Sequence, residues 1–187
     1  MVEEAMNTAV TWLADVLDHA DCRIVELPGW QTRGRSGAFG PAKGVLCHHT
    51  AGPKGTSSLE TIIEGRPDLP GPLAHLYLDP EGVFTIVAAG RCNHAGIGSW
   101  QGITSGNTYF IGIEAENDGL ADDPWPDVQY QAYARGCAAI LNHIGAPVIM
   151  CAGHKEYALP PGRKVDPSFN LTAFRALVSV YMKRLAA

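Results

Sequence analysis

The chain has 187 residues, enough for one domain with a substantial core, and nothing in it requires a second. Apolar residues make up 46% and charged residues 18%, which fits a compact protein and excludes a mostly disordered one. A net charge of −5, with 14 scattered basic residues, argues against a nucleic-acid partner, because phosphate neutralisation demands a basic excess or cluster.

In chain order, Ala5, Ala9, Val10, Leu13, Val16 and Leu17 recur at helical spacing and predict an amphipathic helix over residues 4–19. "CRIVEL" reads as a short strand, and the glycine-rich run from Gly29 to Gly44 as a loop. "GVLCHHT" is an apolar run ending in polar residues, the form of a buried strand whose C-terminal end opens onto a site. A helix follows in "TSSLETIIEG", with Thr56 or Ser57 as its cap and Gly65 and Pro67 as its stop. "AHLYLDPEGVFTIVAAG" predicts a hairpin turning at Asp79-Pro80-Glu81-Gly82, and "YFIGIEAEN" another strand. Residues 127–143 carry Tyr130, Tyr133, Ala134, Cys137, Ala138 and Leu141 at helical spacing, closed by Gly145 and Pro147. "VIMCAG" reads as a strand and "NLTAFRALVSVYMKRL" as a last helix capped by Asn170. Alternating strands and helices around a hairpin imply an α/β fold: a single domain with a mixed central sheet flanked by helices.

Five widely spaced cysteines without a C-x-x-C pair read as buried free thiols, a usage that suits a reducing cytoplasm. No signal peptide is legible at the N-terminus, and no stretch approaches the roughly 20 apolar residues of a membrane span.

The segment "GHKEYALPPGRKVDP" sets His154, Lys164 and Asp166 on a turn too rich in proline and glycine for a helix. A salt-bridged surface turn is one reading and a metal site the other. His48 and His49 end a strand, where alternation lets only one of them face a given cleft. Two imidazoles and a carboxylate would leave a fourth position of a tetrahedral zinc open, as in catalytic sites. Glu114 and Glu116 share one face of a strand; they suit either a general base beside a metal or the wet face of an edge strand.

Together "GVLCHHTAG", "AHLYLDPEG", "NHAG", "YFIGIEAEN" and "GHKEYALPPGRKVDP" resemble, in order, the landmarks of the zinc-dependent N-acetylmuramoyl-L-alanine amidases of type 2. That superfamily also holds the peptidoglycan recognition proteins and the amidase-type bacteriophage lysozymes. The resemblance covers about residues 44–180 and implies a catalytic unit over 44–187, with residues 1–43 as a helix and loop extension packed on it. By position it implies zinc ligands His48, His154 and Asp166, a catalytic acid/base Glu114, and an oxyanion-stabilising Lys164. Substrate contacts fall to His75, His94, Thr50 and Asn117, with structural roles open for the two histidines. Non-catalytic recognition proteins lose the third ligand, so Asp166 points toward catalysis.

The implied function is hydrolysis of the bond between N-acetylmuramic acid and L-alanine in peptidoglycan, by a monomer made in the bacterial cytoplasm without a signal peptide. The expected setting is a bacteriophage endolysin acting on the cell wall, with a cytoplasmic enzyme that recycles muropeptides as the alternative. A muropeptide-binding module without catalysis is the rival from another class. A structural zinc site closed by Cys47 or Cys151 is a further one.

Overall fold

A computed structural model describes residues 8–186. Residues 4–7 of the predicted first helix lie outside the described residues. Residues 8–12 are not helical, and α1 spans Leu13–His19.

The strands are β1 (Arg23–Glu26), β2 (Gly44–His49), β5 (Leu76–Leu78), β6 (Val83–Ile86), β7 (Phe110–Ala115) and β8 (Cys151–Gly153), with a two-residue ladder of β3 (Gly65–Arg66) and β4 (Leu69–Pro70) set apart. The six form one sheet in the order β1-β6-β5-β7-β2-β8. Only the β5/β6 pair is antiparallel, as the hairpin turn predicts, and the other pairings are parallel. The fold is therefore the expected α/β domain with a mixed central sheet.

Helices α4 (Asp127–His143), α6 (Leu171–Leu185) and α1 cover one face. Tyr133, Ala134, Cys137, Ala138 and Leu141 are all buried, so the spacing that predicted α4 is also its packing face. Cys47 and Cys151 on the sheet meet Cys137 on α4, with Cys47 Sγ 3.8 Å from Cys137 and 3.7 Å from Cys151. All five cysteines are buried and free, and burial pushes the Cys137 thiol well up, keeping it neutral. The opposite face carries α2 (Leu59–Glu64), α3 (Gly106–Tyr109), α5 (His154–Tyr157) and long loops, over small clusters such as Leu46, Ala95, Phe110, Ala152 and Tyr157. Among the described residues no helix is long and apolar enough to cross a membrane.

Three local expectations need correction. "VIMCAG" is a strand only in its second half: Val148–Met150 form a 3-10 turn, because the carbonyl of Pro147 takes the Met150 N–H at 2.8 Å. The segment from Gly153 to Pro167 does contain a helical turn, α5, held by the Glu156 carboxylate accepting the Gly153 N–H at 3.0 Å. Neither Thr56 nor Ser57 is the N-cap of α2; Ser58 is, and its N–H is taken by Glu116 Oε2 at 2.6 Å. Ser57 Oγ accepts the Leu59 N–H at 3.3 Å, so a local hydroxyl and a carboxylate 58 positions away share the free N–H groups at the start of the helix.

Candidate metal centre and groove

Strands β7, β2 and β8 lie side by side and parallel, with His48 opposite Glu114 and Cys47 opposite Gly153. One step along, His48 stands beside His154, the first residue after β8. In-register neighbours of a parallel sheet point the same way, so Glu114, His48 and His154 emerge in a row at the strands' C-terminal ends. Alternation thus selects His48, while the His49 ring lies beside Trp125 with 6.5 Å between centroids. The row is on the face that the long helices leave free.

Asp166 completes the group from the loop after α5. Its backbone carbonyl accepts the Lys155 N–H at 2.7 Å, which registers the loop against the residue next to His154. His48 Nδ1, His154 Nδ1 and Asp166 Oδ2 then lie 3.0–3.1 Å from one another. The edge of a tetrahedron with metal–ligand bonds of about 2.0–2.1 Å is about 3.3 Å, so the spacing suits one small cation. All three residues are buried.

The remaining ring nitrogens fix the tautomers. His154 Nε2 lies 3.0 Å from the Ala95 carbonyl, which can only accept, so the proton sits on Nε2. His94 Nε2 likewise donates to the Phe110 carbonyl at 3.1 Å, leaving His94 Nδ1 to accept from His48 Nε2 at 3.2 Å. His48 and His154 therefore both turn a lone pair toward Asp166. Burial lowers the His48 pKa to about 4, so the ring is neutral at physiological pH. Three converging acceptors repel one another unless a cation lies between them, so the donor set fits a divalent metal.

Glu114 stands beside this group, with Oε1 3.8 Å from His48 Nδ1 and Oε2 buried without a hydrogen-bond partner. Burial, reinforced by the Asp166 charge and opposed by Lys164, pushes its pKa well up, as suits a group that must both take and give a proton. Lys164 is exposed on the rim. The site opens into a groove of about 600 Å³, whose walls include His49, Thr61, Arg66, Asn93 and Arg163 beside Glu114, His154, Lys164 and Asp166, with His48 set just behind them.

The second glutamate is different. Glu116 receives Thr50 Oγ1 at 2.6 Å, Ser58 N–H at 2.6 Å, Ser58 Oγ at 2.9 Å and the Tyr77 hydroxyl at 3.0 Å. β7 is a central strand, so the wet-edge reading fails, and the Glu116 carboxylate is instead fully engaged in holding the loop after β2 to α2.

Two expected substrate contacts lie away from this groove, and two others line it while also making structural hydrogen bonds. His75 is fully buried behind the site, accepting the Gly112 N–H at 3.0 Å, and does not reach the groove. Asn117 is buried and organises its own loop, donating to the Asp123 carbonyl at 3.0 Å and accepting the Gly119 N–H at 2.9 Å. Thr50 lines the groove, and its hydroxyl donates to Glu116. His94 lines the groove and also supports His48. Sequence reading missed Tyr133, whose hydroxyl takes the His48 N–H at 2.9 Å and donates toward the His48 and Ile113 carbonyls. Its helical spacing marked it only as an apolar contact.

Comparison with known proteins gives a family match over residues 38–169, described as N-acetylmuramoyl-L-alanine amidase. Over 92 residues the chain is 41% identical to the 1,6-anhydro-N-acetylmuramyl-L-alanine amidase AmpD of Citrobacter freundii, covering 48% of this chain and 46% of that protein. The chain thus spans about half the length of the curated relatives it matches. Among solved structures, a selenomethionine derivative of AmpD superposes with a TM-score of 0.59 at 28% identity, over 84% of this chain and 94% of that one. The amidase AmiD of E. coli, solved in complex with an anhydro-N-acetylmuramic acid peptide, shares the fold with a TM-score of 0.62 at 24% identity, over 82% of this chain and 65% of that one.

Proposed function

Because the chain belongs to the N-acetylmuramoyl-L-alanine amidase family, we propose that it is a zinc-dependent enzyme cleaving the amide between the lactyl group of N-acetylmuramic acid and L-alanine. The observation that carries this reading is the convergence of His48 Nδ1, His154 Nδ1 and Asp166 Oδ2 within 3.0–3.1 Å, beside a partnerless Glu114 oxygen at the groove. When bound, zinc supplies Lewis-acid polarisation of the scissile carbonyl and activation of a water nucleophile. Glu114 takes the proton of the attacking water and hands it to the amide nitrogen as the C–N bond breaks. Lys164, on the rim, is assigned to the carbonyl oxygen, where negative charge develops in the transition state. Residues 44–187 form the catalytic unit in this reading and residues 1–43 an extension packed on it, the whole acting as a monomer.

For the substrate we favour soluble muropeptides with a 1,6-anhydro sugar, processed in the bacterial cytoplasm, over the intact wall that an endolysin would attack. The name of the curated relatives supports this choice, and it replaces the endolysin expected from the resemblance alone. The test is to supply purified 1,6-anhydromuropeptide and intact sacculi in parallel, reading L-alanine-terminated peptide by mass spectrometry, with a chelator and with zinc restored. Chelator-sensitive release from the soluble substrate, with sacculi nearly untouched, is expected. Rapid clearing of sacculi would restore the endolysin. Binding without release from either substrate would leave a recognition module.

A further inference from the structure

The two ligand histidines are oriented by one short segment, "NHAG", through two different atoms: the His94 side chain orients His48, and the Ala95 carbonyl orients His154. A loop carrying both tasks must itself be fixed in position, because an error of a few tenths of an ångström reaches both ligands together. One atom supplies that fixing. Asn107 Oδ1 accepts the His94 N–H at 2.9 Å and the Ala95 N–H at 2.8 Å. Both partners are backbone donors, so the amide oxygen, not the nitrogen, faces them.

Asn107 is in turn held by the helix that bears His154. It lies on α3, whose first residue, Gly106, donates its N–H to the Tyr157 hydroxyl at 2.9 Å, while that hydroxyl donates to the Thr104 carbonyl at 2.7 Å. Tyr157 ends α5, the turn that His154 begins. The connections therefore close a ring: His154 to Ala95, Ala95 to Asn107, α3 to Tyr157, and Tyr157 back along α5 to His154. Glycine packs both ends of it. A Cβ on Gly106 would lie 2.5 Å from the Ala95 Cβ, and one on Gly112 would lie 2.7 Å from the His94 ring.

We propose that Asn107 is a positioning residue for the metal centre: by clamping the His94 and Ala95 amides to one oxygen, it sets the orientation of both ligand imidazoles at once. It touches neither metal nor substrate. The inference rests on the zinc reading above and adds a residue that the motifs of the ligand set do not contain.

The experiment is a zinc titration of the full chain against a chromophoric chelator, with the thermal midpoint of the metal-free protein measured alongside. Asn107→Ala is expected to weaken zinc binding about tenfold, the lower end of the range for outer-shell partners, by freeing both amides. Asn107→Asp retains an acceptor oxygen at the same reach and is expected to bind zinc within about twofold of wild type. If Asn107→Ala does not fold, Asn107→Gln, whose oxygen is displaced by a methylene, takes its place with the same expectation of weakened binding. Weakened binding with a metal-free midpoint close to wild type, rescued by aspartate, supports the positioning role. Unchanged affinity in Asn107→Ala or Asn107→Gln, or equal weakening in the aspartate variant, overturns it while leaving the zinc reading intact. A wild type that binds no zinc overturns both.

Discussion

Glu114 and Glu116 stand two residues apart and have opposite chemistry, because one carboxylate keeps a buried oxygen without a partner where the other receives four hydrogen bonds. Glu114→Gln is expected to keep zinc affinity while lowering kcat by about 10²- to 10⁴-fold, the usual contribution of a general acid/base; a variant with normal turnover would remove Glu114 from the mechanism. Glu116→Gln should act on stability instead, measured as a lower urea midpoint with kcat retained by the folded fraction. His75 predicts a pH dependence. Burial lowers its pKa to about 3 from an ordinary 6.5, so between those values the unfolded chain holds a proton that the folded one refuses. The stability present above about pH 6.5 is therefore lost as pH falls toward about 3, with a slope approaching 1.4 kcal/mol per pH unit. His75→Asn should flatten that slope in urea melts between pH 4 and pH 6 (about the middle of the window); an unchanged slope would assign the acid sensitivity to other groups. The cluster of His48, His154 and Asp166 was legible as residue types at motif spacing. The division of labour between the two glutamates, and the burial of His75 and Asn117, were not, because each depends on partners distant in sequence.

Helix α4 and strand β2 show how elements place these side chains. Tyr133 on α4 grips the backbone at His48 from behind the sheet, so the depth of the helix against β2 bears on the metal centre. Gly136 sets that approach near the hairpin: a Cβ there would lie 2.5 Å from Phe84 Cζ and 3.4 Å from Leu17. Alanine is the better helix former by about 1 kcal/mol, yet Gly136→Ala is expected to destabilise by about 1–3 kcal/mol through overpacking. Denaturant melts decide the sign, and a stabilised variant would show that Phe84 yields without cost. Periodicity located α4 to its end residues and the Asn170 cap of α6 held, with Asn170 Oδ1 accepting the Ala173 N–H at 3.0 Å. It failed at "VIMCAG" and at the start of α2, where a proline turn and the distant Glu116 carboxylate override local signals.

At the scale of the molecule, one sheet separates two environments. The face under α1, α4 and α6 is a dry core, and the other ends in a polar groove. The alternation of β2 crosses that boundary within a single step, sending Cys47 into the core and His48 to the metal centre. The class of fold was readable from alternating patterns, but the strand order that brings β7, β2 and β8 together was not, since only register reveals it.

The buried thiols also make the protein its own clock. Cys47, Cys137 and Cys151 are closed off by α4 and the sheet, so a thiol-reactive dye can reach them only when that core opens. Labelling should be slow in native buffer, and zinc should slow it further, since a ligand that binds only the closed form lowers the open fraction in proportion to its occupancy. Peptide mapping of the labelled cysteines would then report metal binding in a protein silenced by Glu114→Gln, with no substrate present. Fast labelling at Cys47, indifferent to zinc, would mean that the core opens without disturbing the ligands beside it.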